Sequence, residues 1–195
     1  MYKISVLISG QGSTLDNLAF HCYDEYDGMI RGFVGISQVV ADRECAGKQI
    51  AEKWGLLFTV IKQSNFPDTR SWSEALFNYD VDLHVMGGFL SRVVVPEHLK
   101  GRILNIHPSL LPAYGGQGMY GMKVHEAVVN NKEKITGCTV HVVDDEYDHG
   151  EIITREAVAV LQNETAADVQ EHVQAREKLT YPRAILNYLR KQKNT

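Results

Sequence analysis

Two segments of this 195-residue chain hold side chains suited to chemistry. In Ile103-Leu104-Asn105-Ile106-His107-Pro108, Asn105 and His107 stand at positions i and i+2. On a strand such positions share a face, so a carboxamide and an imidazole point one way while Leu104 and Ile106 point the other. Pro108 lacks an N–H, which suits the strand's end, and it keeps His107 extended. The later loop Asp144-Asp145-Glu146-Tyr147-Asp148-His149-Gly150 offers the missing carboxylate. A carboxylate beside His107 favours the charged imidazole. Imidazolium and carboxamide together can donate two hydrogen bonds to a developing oxyanion, which suits acyl transfer. No serine or cysteine nucleophile accompanies them, so the pattern predicts direct attack by an amine substrate, with His107 and Asp148 moving protons. Plainer readings stay open here: a hydrogen-bonded structural histidine, and a solvated acidic loop or cation site. An EF-hand does not fit, because its ligand pattern and twelfth-position Glu are absent.

A second candidate is the turn Gly10-Gln11-Gly12-Ser13-Thr14 between an apolar run and a helical pattern. Glycines let the backbone approach an oxyanion, while N–H groups and the helix dipole supply partial positive charge. A dinucleotide fingerprint needs a third glycine where Leu15 stands, and an acid ending the second strand, where Ile36-Ser37-Gln38 offers none. A single phosphate ester is therefore expected; the alternative is a plain tight turn with Ser13 or Thr14 capping the helix.

The elements that must position these groups alternate along the chain. Strands are predicted at Lys3 to Ile8, Ile30 to Ile36, Leu57 to Ile61, Leu83 to Met86 and Arg102 to His107. Helices are predicted where Leu15, Leu18, Ala19 and Cys22 share a stripe, from Ala46 to Trp54, and from Trp72 to Tyr79. Pro96 could open a short further helix. This rhythm implies an α/β fold: three layers around a mostly parallel twisted sheet, with a Rossmann-like N-terminal half and ligands at the strands' carboxyl ends. A helix from Val124 to Asn130, strands at Thr139 to Val143 and Ile152 to Thr154, and a helical region from Thr165 to Arg190 follow, with Pro182 expected to break or restart the last.

Composition narrows the class. Lys+Arg 20 against Asp+Glu 24 gives a net charge of −4, which argues against a nucleic-acid partner. No run approaches the roughly 18 apolar residues of a membrane helix, and the apolar start is too short for a secretory signal. Cys22, Cys45 and Cys138 are odd in number without metal-type spacing, so a cytoplasmic setting and no metal are expected.

Ile8-Ser9-Gly10-Gln11-Gly12-Ser13-Thr14, Asn105-Ile106-His107-Pro108-Ser109-Leu110-Leu111-Pro112, Gly137-Cys138-Thr139-Val140-His141 and Asp145-Glu146-Tyr147-Asp148-His149-Gly150 together resemble the phosphoribosylglycinamide formyltransferase family, in order and over essentially the whole chain. The resemblance implies the formyltransferase fold in one domain, 1–195, with a phosphate-binding half (1–100) and a catalytic and folate-binding half (101–195). It implies transfer of the formyl group of 10-formyltetrahydrofolate, as co-substrate, to the amine of phosphoribosylglycinamide in purine synthesis. By similarity Asn105, His107 and Asp148 form the catalytic trio. Gly12, Ser13 and Thr14 would meet the phosphate, and Glu177 the glycinamide part. Arg70, Leu90, Arg92, Val93, Val94, Asn105 and the loop Asp144, Asp145, Glu146, Tyr147, Asp148 would line the folate pocket. The sequence departs from the family at Thr14, where Asn is usual, at the inserted Ser91, at His149 in place of a glycine, and in the longer Tyr114–Gly121 segment. Partners are expected to be small molecules, with no nucleic acid or membrane, in a monomer or homodimer. A formyltransferase acting on an amino sugar nucleotide and a non-catalytic phosphate-binding module are the alternatives; the acidic charge and the lack of an added domain set this chain apart from the tRNA-formylating relatives.

Overall fold

The computed structural model describes residues 1–193. Its centre is a seven-stranded sheet, ordered β3-β2-β1-β4-β5-β6-β7. The strands are β1 (Tyr2–Ile8), β2 (Val34–Ala41), β3 (Phe58–Val60), β4 (Leu83–Met86), β5 (Ile103–His107), β6 (Ile135–Val142) and β7 (Ile152–Ala159). The first five run parallel, and β6 and β7 are antiparallel to their neighbours. The chain winds outward from β1 through β2 and β3, then restarts at β4 on β1's other side. The carboxyl ends of β1 and β4 therefore flank the point where strand order reverses, which in such sheets opens a crevice.

Alternation along β1 divides the core. Ile4, Val6 and Ile8 pack with α1 (Ser13–Tyr23), α2 (Gly47–Lys53), α4 (Met122–Asn130) and α5 (Ala166–Lys193), while Leu7 joins Trp72 and Leu76 of α3 (Thr69–Leu76) on the opposite face. These are the three layers expected of the sequence.

Several elements differ from their sequence-based bounds: β6 starts earlier, at Ile135, β7 runs on to Ala159, and three others differ for reasons visible in the structure. β2 begins at Val34 and continues to Ala41, because residues 30–33 form a turn with Gly32 at φ 76° and Ser37 is a bulge. Ile36 pairs with Ile4 but Gln38 pairs with Ser5, so the extra residue breaks the alternation that pattern-reading depends on. α3 starts at Thr69, because the Asp68 carboxylate accepts the Ser71 N–H at 2.8 Å and caps it. α5 runs unbroken through Pro182. The proline leaves the Lys178 carbonyl without its intrahelical donor, and the Asn17 carboxamide of α1 donates to it instead, at 2.9 Å.

Candidate functional site

Asn105 and His107 sit at the carboxyl end of β5, facing β6, whose His141 pairs with Asn105 and whose Thr139 pairs with His107. The chain beyond β5 is folded back by two hydroxyls. Thr139 donates to the Ser109 carbonyl at 2.7 Å and accepts the Leu111 N–H at 3.0 Å, while Ser109 donates to Ala113. This turn brings the Tyr114 carbonyl to 2.8 Å from His107 Nε2. A carbonyl only accepts, so Nε2 carries a proton and Nδ1 is the nitrogen left to face the site.

Asp148 arrives from the β6–β7 loop, with a left-handed φ of 54° that L-residues adopt at a cost. Its carboxylate stands 3.3 Å from His107 Nδ1 and 3.5 Å from His141 Nε2, and accepts the Gly116 N–H at 3.0 Å. Burial pushes this carboxyl up, but the two imidazoles and the Gly116 amide outweigh it and hold Asp148 well below the usual carboxylate range. Gly115 makes the approach feasible, since a Cβ there would lie 2.4 Å from Leu111 and 3.2 Å from the Asp148 Cβ.

His141 was not among the site residues expected from sequence. Its Nδ1–H donates to the Val142 carbonyl at 2.9 Å, leaving Nε2 beside the Asn105 amide nitrogen at 3.2 Å. Nε2 thus faces both the Asn105 carboxamide and the Asp148 carboxylate: neutral, it accepts one Asn105 N–H and leaves the second for a ligand; protonated, it donates to Asp148. The signal was present: Thr139 and His141 alternate on one strand face as Asn105 and His107 do.

These groups line a cavity of about 500 Å³. Ser13 and Thr14 of α1 line it too, as does Glu177 of α5. Burial raises the Glu177 carboxyl to about 7, partly offset by His107. Leu90, Arg92 and Val93 belong to the wall, with Asp144, Asp145, Glu146 and Tyr147 facing them. The two wall segments brace each other: the Arg92 guanidinium donates to the Asp145 carbonyl at 3.2 and 3.3 Å, and the Asp145 carboxylate accepts the Val95 N–H at 2.7 Å. His149 is paired with Asp144 at 2.7 Å.

Three expected residues do not line the cavity. Arg70 is exposed in the first turn of α3, Val94 is drawn to Ser73, whose hydroxyl accepts its N–H at 3.0 Å, and Gly12 lies behind the wall. Gly12 acts through backbone shape. It has φ 80° and opens α1 with no side-chain cap, so neither Ser13 nor Thr14 caps the helix. A Cβ on it would meet the Gly47 Cα at 2.9 Å. An acid does follow the second strand, contrary to the sequence-based expectation: β2 ends at Ala41 and the next residue is Asp42. That acid is occupied: Arg43 donates to both its oxygens at 2.9 and 2.7 Å, and Ser91 donates at 2.6 Å. Sequence reading also missed His125, a buried α4 residue on the cavity wall whose Nδ1 has no hydrogen-bond partner among the described residues. Among those residues no cluster of His, Cys, Asp and Glu is arranged to hold a metal, and no helix is long and apolar enough to cross a membrane.

The family model described as formyl transferase matches residues 2–185. The chain is similar to the chloroplastic phosphoribosylglycinamide formyltransferases of Arabidopsis thaliana (34% identical over 186 residues, 92% of this chain and 62% of that one) and Vigna unguiculata (35% over 185 residues, 92% and 58%). It thus spans about three fifths of the length of these curated relatives. Among solved structures it is similar to the phosphoribosylglycinamide formyltransferase of Anaplasma phagocytophilum, with TM-score 0.80 and 34% identity, covering 97% of this chain and 87% of that one. It is also similar to glycinamide ribonucleotide transformylase 1 of Symbiobacterium toebii, with TM-score 0.84 and 32% identity, covering 98% and 89%.

Proposed function

The chain belongs to the formyl transferase family, and we propose that it transfers the formyl group of 10-formyltetrahydrofolate to the amine of 5-phosphoribosylglycinamide, a step of purine synthesis. One observation carries the reading: Asn105, His107 and Asp148 share a single cavity with the first turn of α1 and with Glu177. That cavity has a proton-handling end and an anion-accepting end, as an amine carried on a phosphate ester requires.

In this proposal Ser13 and Thr14 meet the phosphate at the start of α1, where N–H groups and the helix dipole favour an anion. Glu177 meets the glycinamide part. The folate donor occupies the wall formed by Leu90, Arg92, Val93 and the loop from Asp144 to Asp148. A cavity of about 500 Å³ falls within the range of small-molecule sites. The amine attacks the formyl carbon, forming a C–N bond and turning the carbonyl oxygen into an oxyanion. The second Asn105 N–H and the His107 Nδ1–H donate to that oxyanion. The Tyr114 carbonyl holds the ring by Nε2, and ionised Asp148 favours the proton on Nδ1. Collapse of the oxyanion breaks the bond between the formyl carbon and the folate nitrogen. The proton lost by the amine passes through Asp148 to that nitrogen, so charge and protons balance.

The cytoplasm is part of the same proposal, supported by three free cysteines that suit a reducing setting. The test is formyl transfer from 10-formyltetrahydrofolate to phosphoribosylglycinamide, an amino sugar nucleotide, charged initiator tRNA and water, measured side by side. Selective formylation of phosphoribosylglycinamide is expected. Preference for any other acceptor, or no transfer at all, would overturn the reading.

A further inference from the structure

We propose that Asn17 is a positioning residue: its hydrogen bond to the Lys178 carbonyl seats Glu177 against the first turn of α1, and so sets the affinity for the amine acceptor. This rests on the reading above, in which that turn and Glu177 hold the acceptor's two ends.

The argument starts from a missing donor. A residue in an α-helix donates its N–H to the carbonyl four positions earlier, and Pro182 has no N–H to give Lys178. α5 is nevertheless continuous there, and Asn17 Nδ2 supplies the donor at 2.9 Å from a different helix. A carbonyl accepts only, so the carboxamide's orientation is settled by this contact.

The bond lies where it can matter to a ligand. Asn17 is one turn after Ser13 on α1, and Lys178 adjoins Glu177 on α5. Between the two helices lies a small cavity of about 30 Å³, lined by Ser13, Thr14, Asn17, Glu177, Lys178 and Tyr181. Ser13, Thr14 and Glu177 also line the large cavity, so this seam is its floor. α1 is held from its other side as well. The Asp16 carboxylate accepts from Trp54 at 2.6 Å and from Lys53 at 2.8 Å, which ties the first turn to the end of α2. With α1 anchored in this way, the Asn17 contact fixes where the middle of α5 sits. Glu177 is half-buried where the two helices meet, and this burial raises its carboxyl.

The proline provides the control. In Pro182→Ala the amide at 182 regains its proton and can donate to Lys178, which makes the Asn17 donor redundant. The experiment measures KM for each substrate, and kcat, for the wild-type chain, Asn17→Ala, Pro182→Ala and the double variant. Asn17→Ala is expected to raise KM for phosphoribosylglycinamide about 3- to 10-fold, the effect of one lost hydrogen bond. KM for the folate donor and kcat should stay within about twofold. In the Pro182→Ala background the same change should have no effect on acceptor KM. An unchanged acceptor KM in Asn17→Ala, an equal rise for both substrates, or the same rise in both backgrounds would each overturn the proposal.

A second readout is independent of turnover and of whether Pro182→Ala folds: the Glu177 carboxyl, titrated by carbon NMR. In Asn17→Ala its pKa should fall from about 7 towards the ordinary carboxylate range as the helices part and the half-buried carboxyl gains exposure; no movement would overturn the proposal. Should the wild-type chain fail to formylate phosphoribosylglycinamide, the functional reading falls and this titration alone decides the seam.

Discussion

His107 is defined by what holds its two nitrogens. The Tyr114 carbonyl takes Nε2 at 2.8 Å and the Asp148 carboxylate faces Nδ1 at 3.3 Å, so the ring is held at both nitrogens. Replacing His107 by Ala removes an oxyanion donor and should lower kcat at least ~100-fold. Near-wild-type turnover by a folded His107→Ala chain would remove the histidine from the mechanism. Glu177 makes a prediction about stability. Its folded pKa of about 7 lies above the ordinary 4.5, so between these pH values the folded chain holds more protons than the unfolded one. Stability contributed by this group is present below pH 4.5 and lost as pH rises towards 7. Urea midpoints across that window should decline with pH by a component that Glu177→Gln abolishes. Identical slopes for both proteins would show that the carboxyl ionises normally. At this scale the candidates Asn105, His107 and Asp148 were legible because residue type and strand spacing are local. His141 was missed, and Arg70 stands away from the cavity wall, because strand pairing and helix placement are not local.

At the scale of elements, the turn from β1 into α1 is set by backbone shape. Gly12 adopts φ 80° and passes the Gly47 Cα at a distance that admits no Cβ. Gly12→Ala should therefore destabilise the chain by about 1–3 kcal/mol and weaken acceptor binding by displacing Ser13 and Thr14. A thermal melt and an acceptor titration check this together, and wild-type values in both would place the glycine outside any structural role. The elements read correctly from sequence, β1, α1, β4 and β5, are those whose apolar period runs unbroken into a turn. β2 was displaced because the bulge at Ser37 shifts the pairing by one residue, which hid Asp42 as the residue beyond the strand. α5 was expected to break at Pro182 because the rule for an interior proline counts only donors within the helix. Here the donor comes from Asn17.

For the whole molecule, the site depends on long-range closure. Tyr181, 1% exposed in the core, places its hydroxyl 2.9 Å from the Met86 carbonyl of β4 and 3.1 Å from the Leu104 carbonyl of β5. It ties the carboxyl end of β4 and the first part of β5 to α5. Tyr181→Phe should cost about 1–2 kcal/mol, because a buried hydrogen bond is lost without its water replacement. Equilibrium unfolding in denaturant measures this, and an unchanged midpoint would mean the hydroxyl contributes nothing to the junction. By itself, the sequence determined the α/β class, the turn at Gly10–Thr14 and the pairing of Asn105 with His107 on one face. Each follows from backbone sterics and periodicity over a few residues. Only the tertiary structure decided that Asp148 and His141 meet His107 and Asn105, that Glu177 faces Ser13, and that Asn17 completes the helix Pro182 interrupts. Those contacts join residues far apart in the chain, and their partners are chosen by strand order and helix packing.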